Sequence, residues 1–196
     1  VYARLISNSQ DCASIKLVLL GDGPLRSELQ NLCQQLGLRF FKSQQSGGFD
    51  FDAQVYFLGF QENPYPLISQ AELLLMTSRW EGLPIALLEA MSLGIPSVVS
   101  DCSAGIRDLW QLPVADLDNH NEGPLVLETS FGVLMPFSID GSKNAAEDWA
   151  REVEKLLNDT AKRDRSANAC RRRTKEYDID RVAGLWNRLI SPDVTP

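Results

Sequence analysis

Apolar residues run unbroken from Ile15 to Leu20 and stop at Gly21-Asp22-Gly23-Pro24, the pattern of a buried parallel strand ended by a glycine turn. A helix is expected next. Pro24 suits a first helical position, Leu25, Leu29, Leu32 and Leu36 recur on one face, and Gly37 stands where a C-cap belongs. The alternation repeats. Gln54–Leu58 reads as a strand ahead of Gly59, Asn63-Pro64 opens a short helix to about Gln70, and Leu73–Met76 is a third buried strand. Pro84–Met91 reads as a helix closed by Gly94, Ile95–Val99 as a fourth strand and Gly132–Met135 as a fifth. Between them, the Pro- and Asp-rich stretch from Pro113 to Pro124 reads as a surface loop, and so does Lys42–Asp52 with its Gly47-Gly48.

Strands alternating with helices imply right-handed crossovers and a mainly parallel sheet covered on both faces, the doubly wound, Rossmann-like α/β architecture. From Asp140 no strand signal remains. Asn144–Asn158, Lys162–Tyr177 and Asp180–Ile190 read as helices, with Asp178 or Asp180 as a cap. The expected organisation is one domain overall, with a Rossmann-like body over residues 1–140 and C-terminal helices over 141–196 packing on it.

Composition narrows the class. The chain has 196 residues, 44% hydrophobic and 23% charged, which is ordinary globular usage and excludes disordered, collagen-like and coiled-coil chains. No apolar run approaches the roughly 20 residues of a bilayer crossing, and no basic-then-apolar leader opens the sequence, so a soluble protein is expected. Four widely spaced cysteines, no CxxC pair and one histidine argue against a disulfide framework and a zinc site. The first residue is Val1, not methionine, so a fragment is considered. A net charge of −7 argues against nucleic acid as a partner. Eleven of the nineteen basic residues fall in 151–196, but the acidic neighbours of Arg171-Arg172-Arg173 favour a solvated helix face.

Ligands of open α/β sheets bind beyond the carboxyl ends of the strands, which singles out two turns. In Gly21-Asp22-Gly23-Pro24, Gly21 and Gly23 let the backbone approach a ligand, and the next helix offers free N–H groups to a phosphate. The second turn, Thr77–Pro84, leads into Ile85-Ala86-Leu87-Leu88-Glu89-Ala90-Met91. Glu89 is the one polar member of an otherwise apolar helix, expected to be buried nearly all round, so its carboxylate requires partners. Two readings stand level: a structural role, as an ion pair with an arginine such as Arg107 or Arg79 or a hydrogen bond to a neighbouring backbone, or acceptance of hydrogen bonds from a vicinal diol of a ligand. At ~1.5 Å per residue, Glu81 and Glu89 stand roughly 10 Å apart along one wall. That separation suits two sugars flanking a diphosphate placed at the helix N-terminus.

Glu81, seven residues and Glu89, within Ser78-Arg79-Trp80-Glu81-Gly82-Leu83-Pro84-Ile85-Ala86-Leu87-Leu88-Glu89-Ala90-Met91 and ahead of Gly94-Ile95-Pro96, resemble the signature of the family 4 retaining glycosyltransferases of the GT-B fold. Leu19–Pro24, Val55–Phe60, Val98–Cys102 and Gly132–Pro136 resemble that family's donor-binding half in the same order, and the likeness spans about Ile15 to Ile190. It implies that Glu81 is the catalytic residue at the hydroxyls of the transferred sugar and that Glu89 holds the ribose. It further places Gly82, Leu83, Ile85 and Ala86 around the diphosphate or sugar, Gly21 and Gly23 near the phosphates, and Phe60 and Gln61 beside the base. Pro84 departs from members with glycine there, because proline has no N–H to donate.

The resemblance implies transfer from a nucleotide sugar to a glycan, lipid or other acceptor, with no further cofactor and no protein-held metal. The leaving diphosphate helps deprotonate the acceptor, and the protein orients groups and stabilises charge. Asp101 then reads as a turn or cap residue and His120 as an exposed loop residue. The family's N-terminal acceptor domain, and the strand and basic pair that open its donor half, have no counterpart here, and Lys16, inside a strand, is no substitute. Val1–Ile6 resembles the tail of the helix that follows that strand. A cytoplasmic protein is expected, with peripheral membrane association allowed for the longer enzyme. Without a central first strand, two strand edges are left unpaired. They are to be filled by Val1–Ile6 as a substitute strand, by a second copy in a homo-oligomer, or by a separate N-terminal polypeptide, and donor affinity is expected no better than millimolar to high micromolar. A non-catalytic nucleotide-sugar module is the alternative. A sugar epimerase is weaker for want of titratable residues.

Overall fold

The structure, a computed structural model, describes residues 1–8, 14–43, 50–113, 126–136 and 145–190. Helices and parallel strands alternate as α1 (Tyr2–Asn8), β1 (Leu17–Leu20), α2 (Arg26–Gln35), β2 (Phe40–Lys42), β3 (Val55–Gly59), α3 (Tyr65–Ile68), β4 (Leu74–Met76), α4 (Ile85–Ser92) and β5 (Ser97–Ser100). Then come α5 (Ala104–Leu109), β6 (Leu127–Glu128), β7 (Gly132–Met135), α6 (Ala145–Asn158), α7 (Thr160–Thr174) and α8 (Ile179–Ile190). The expected α/β class with mainly parallel strands is what forms. The chain divides into two compact units, one comprising Val1–Pro66 with Lys143–Glu154, the other Leu67–Ser142 with Lys155–Pro196.

The first unit holds the sheet β1-β3-β2, parallel throughout. Its core is Tyr2, Cys33, Val55 and Phe57, with a smaller cluster of Phe41, Ala53 and Tyr56. Val1–Ile6 is not a substitute strand. Tyr2 and Leu5 are buried three residues apart on α1, the Tyr2 hydroxyl donates to the Ile15 carbonyl at 2.8 Å, and Arg4 and Asn8 bind Glu147 of α6. A helical face therefore satisfies these residues better than a pleat. Two expectations about burial also change. β1 is shorter than the apolar run and half-buried, with Val18 45% exposed. On α2 the stripe of Leu25, Leu29, Leu32 and Leu36 is 44–57% exposed, and Cys33 is the residue that packs inward. Periodicity marked the apolar face correctly, but no layer of the unit's described residues covers it.

The second unit holds the sheet β4-β5-β7-β6, in which only β6 is antiparallel. Every residue of β5 and β7 is buried, as central strands of a two-sided sheet require. Leu87 and Met91 of α4, Ile106 and Leu109 of α5, and Ala169 and Cys170 of α7 pack with Val99, Trp110, Phe131 and Leu134 into one core. A single continuous sheet is therefore not formed by the described residues. Among the described residues β1 and β4 each end their own sheet, with one edge unpaired.

Asp178 caps α8 through the Asp180 N–H at 3.0 Å, and Asp159 caps α7 through the Lys162 N–H at 2.8 Å. The arginine run is not simply solvated. Arg171 donates to the Leu93 carbonyl past the end of α4 at 2.9 Å, while Arg173 donates to the Leu109 and Asp108 carbonyls of α5 at 2.8 and 2.7 Å. The Leu93 and Leu109 carbonyls are of the kind a helix C-terminus leaves over, and that of Asp108 also accepts from the Gln111 N–H at 3.0 Å. The loop expected over 113–124 falls, apart from Pro113, outside the described residues, as does His120. Of Lys42–Asp52, Lys42 closes β2 and residues 44–49 lie outside.

Candidate functional site

Each sheet carries sequence-predicted site residues at the carboxyl ends of its parallel strands, where that architecture binds ligands. In the first unit, Gly21 ends β1 at φ +107, a conformation that favours glycine, and its N–H donates to the Gly59 carbonyl at 2.8 Å. Asp22 takes the Gly23 N–H at 2.9 Å and a guanidinium nitrogen of Arg26 at 3.0 Å. Arg26 also donates to the Phe57 carbonyl at 3.4 Å. The glycine turn thus carries a half-buried cation that sequence reasoning missed, since nothing in the helical period distinguishes Arg26 from a solvated residue. Phe60 follows Gly59 and is 78% exposed, while the Gln61 side chain folds back onto the Leu58 carbonyl at 2.8 Å.

In the second unit, Glu81, Gly82, Leu83, Ile85, Ala86 and Glu89 lie together on the turn after β4 and the start of α4. The helix is not buried all round, as its composition suggested. Leu87, Ala90 and Met91 are buried, whereas Leu83 and Ile85 are exposed and Glu89 is half-buried. One face packs on the sheet and α7, so the remaining apolar residues are left at the rim of the turn. Pro84 precedes α4 without a side-chain cap, and the first helical turn leaves its amides at Ile85 and Ala86 without intrahelical acceptors. These amides and the helix dipole make the rim favourable to negative charge. The absent N–H of Pro84 removes one donor from that set, as the sequence indicated.

Glu81 is fixed by its neighbours. Its Oε1 accepts from the Ser78 hydroxyl at 2.7 Å, and the Ser78 carbonyl accepts from the Ser100 hydroxyl at 2.5 Å. The Gly82 carbonyl accepts from the Ser103 hydroxyl at 3.2 Å. Gly105 presses on the same carbonyl so closely that a Cβ there would lie 2.1 Å from its oxygen. Burial raises the Cys102 thiol above its usual range, the Ser100 hydroxyl opposes that shift, and the Glu81 carboxylate adds to it. Arg107 engages Asp101 through two nitrogens, Nε at 2.7 Å, and reaches the Pro113 carbonyl at 3.1 Å. Asp101 therefore anchors the segment after β5 through an ion pair with Arg107 rather than as the turn or cap residue expected of it.

A groove of about 960 Å³ lies elsewhere in the second unit, lined by Lys155, Lys162, Arg165 and Arg172 with Glu128 and Asp159. Lys162 is held by Glu128 at 2.7 Å. Among the described residues no three His, Cys, Asp or Glu side chains are grouped to hold a metal ion. Among them, too, no helix is long and apolar enough to cross a membrane.

A parallel α/β scaffold with carboxylates and a helix N-terminus at the strand ends defines a class of folds that take their ligands there. Solved structures narrow it. The pneumococcal O-GlcNAc transferase GtfA, in complex with UDP and GlcNAc, superposes with a TM-score of 0.69 at 16% identity over 97% of this chain and 32% of its own. Anabaena HepE in complex with UDP gives 0.67 at 17% identity, over 97% of this chain and 44% of its own. The fold is that of the GT-B glycosyltransferases. The sequence model of the glycosyl transferases group 1 matches residues 2–159, and the chain belongs to that family. Over 185 residues it is 30% identical to an uncharacterised glycosyltransferase of Methanocaldococcus jannaschii, covering 89% of this chain and 41% of the relative. It is 28% identical over 192 residues to a Campylobacter jejuni α-1,4-N-acetyl-D-galactosaminyltransferase named for a PP-undecaprenol-linked GalNAc glycan, covering 96% and 42%. The chain thus spans about two fifths of the length of these curated relatives.

Proposed function

We propose that the chain is the donor-binding half of a retaining glycosyltransferase that moves a sugar from a nucleoside diphosphate to a glycan, lipid or other acceptor. The observation that carries this reading is Glu81, clamped in its turn with the unpaired amides of α4 beside it and Glu89 two helical turns on. Glu81 meets the hydroxyls of the transferred sugar, Glu89 the ribose diol, and the Leu83, Ile85 and Ala86 backbone lies against the diphosphate, with Gly82 at the turn. Gly21 and Gly23 serve the phosphates and Phe60 and Gln61 the base. The transfer is carried out without protein-held metal. An acceptor domain completes the site, and the longer enzyme works in the cytoplasm or at the cytoplasmic membrane face, where a polyprenol-linked glycan of the kind named for the Campylobacter relative is one fitting acceptor.

Titration calorimetry with UDP-, GDP- and ADP-sugars tests the reading. Glu89→Ala is expected to abolish nucleotide-sugar binding and Glu89→Gln to weaken it less, because the amide keeps one acceptor for the diol. Unchanged affinity in the alanine variant rejects the assignment. A loss of several kcal/mol of stability in that variant without ligand makes Glu89 a structural ion-pair residue instead. Restoring an acceptor domain separates the enzyme from a non-catalytic binding module: turnover supports the first, binding without turnover the second.

A further inference from the structure

Glu81 does not stand free in its turn. The last residue of β5 and the start of α5 grip the turn on both sides of it, through Ser100 at the Ser78 carbonyl and through Ser103 and Gly105 at the Gly82 carbonyl. Ser100 belongs to a fully buried strand, and Ser103 is itself fixed as the N-cap of α5, accepting from the Ile106 N–H at 3.2 Å. The grip is thereby rooted in the core of the second unit. The carboxylate is held as well, since Ser78 donates to one of its two oxygens. An ionised carboxylate accepts through both oxygens, and occupying one of them fixes its plane and directs the remaining lone pairs.

We propose that Ser78 is a positioning residue for sugar selection: its hydroxyl takes Oε1 of Glu81 and leaves Oε2 to accept from a hydroxyl of the donor's sugar. This rests on the assignment of Glu81 to that sugar. Ser100 acts one step behind, holding the Ser78 backbone from which the hydroxyl reaches Glu81. A preset carboxylate loses less side-chain freedom on binding and discriminates by hydroxyl direction, as preorganised sites do. Ser78 contacts no reacting atom, and its effect passes through Glu81.

The test uses the 196-residue chain with UDP-glucose, GDP-mannose and ADP-glucose, each titrated beside its free nucleoside diphosphate. For whichever sugar donor binds, Ser78→Ala is expected to weaken the nucleotide sugar about tenfold and to leave the free diphosphate within about twofold, the size of one hydrogen bond to a charged group. Ser78→Thr keeps a hydroxyl and is expected to recover most of the loss, while Ser100→Ala gives a smaller loss of the same kind. Equal weakening of sugar and diphosphate would reduce Ser78 to a fold residue and overturn the proposal. So would an unchanged nucleotide-sugar affinity. If the wild-type chain binds a free diphosphate and its sugar with the same affinity, Glu81 does not read the sugar. If it binds none of the six compounds, the donor assignment itself falls and this inference with it.

Discussion

At the scale of single residues, the pair of glutamates was legible in sequence because its spacing is local and falls on one turn and the helix it opens. The residues that hold Glu81 were not. Ser100 and Ser103 reach Ser78 and Gly82 across 22 and 21 positions, a pairing created by the sheet and invisible to any periodic pattern. Their presence near Glu81 makes Cys102 a reporter. Its thiol is raised above the usual range by burial first, and the Glu81 carboxylate adds to the shift by opposing a second negative charge. Replacing that carboxylate with a neutral amide lowers the thiol's pKa and raises the thiolate fraction at a given pH. Glu81→Gln is therefore expected to speed alkylation of Cys102 by iodoacetamide at about pH 8, with the rate–pH curve displaced to lower pH. Rates measured by mass spectrometry that are unchanged, or slower, would show that Glu81 does not face this thiol.

At the scale of elements, helix and strand types were legible wherever the apolar period was long, and their order followed from it. What sequence could not supply was the covering of each face. The leucines of α2 carry a clear stripe yet stay exposed, whereas α4, apolar almost throughout, buries one face and leaves the other at the turn. Charge was misread in the opposite direction. Arg173 belongs to a run that looks solvated, but its side chain is 10% exposed, pairs with Glu176 and binds two carbonyls of α5, and its guanidinium lies 5.1 Å from the Tyr177 ring centroid. Arg173→Ala is expected to destabilise the protein by about 1–3 kcal/mol, since charged hydrogen bonds to helix-end carbonyls are lost and packing goes with them. Arg172→Ala, whose side chain is exposed, serves as control and is expected to stay within about 0.5 kcal/mol. Urea unfolding in which both variants match the wild type would remove Arg173 from the capping role.

At the scale of the whole molecule, the α/β class and the residues gathered at each set of strand ends were legible, because alternation of elements dictates parallel pairing and parallel pairing dictates where ligands meet the backbone. The division into two compact units was not, because it depends on which strands pair. β1 joins β3 and β4 joins β5, and the boundary between the units falls within α6, between Glu154 and Lys155. Two places in the second unit attract anions by elementary electrostatics: the amide-bearing rim of α4, and the basic groove of Lys155, Lys162, Arg165 and Arg172. A nucleoside diphosphate bound by the chain would meet one or the other.

Backbone-amide NMR of the chain titrated with UDP, and with GDP and ADP in parallel, decides between them. The donor-site account predicts saturable shifts at Gly82, Leu83, Ile85, Ala86 and Glu89 with whichever diphosphate binds, with dissociation constants in the high-micromolar to millimolar range, about −4 to −6 kcal/mol. Shifts confined to the residues of the basic groove, with the α4 rim unmoved by all three, would contradict it.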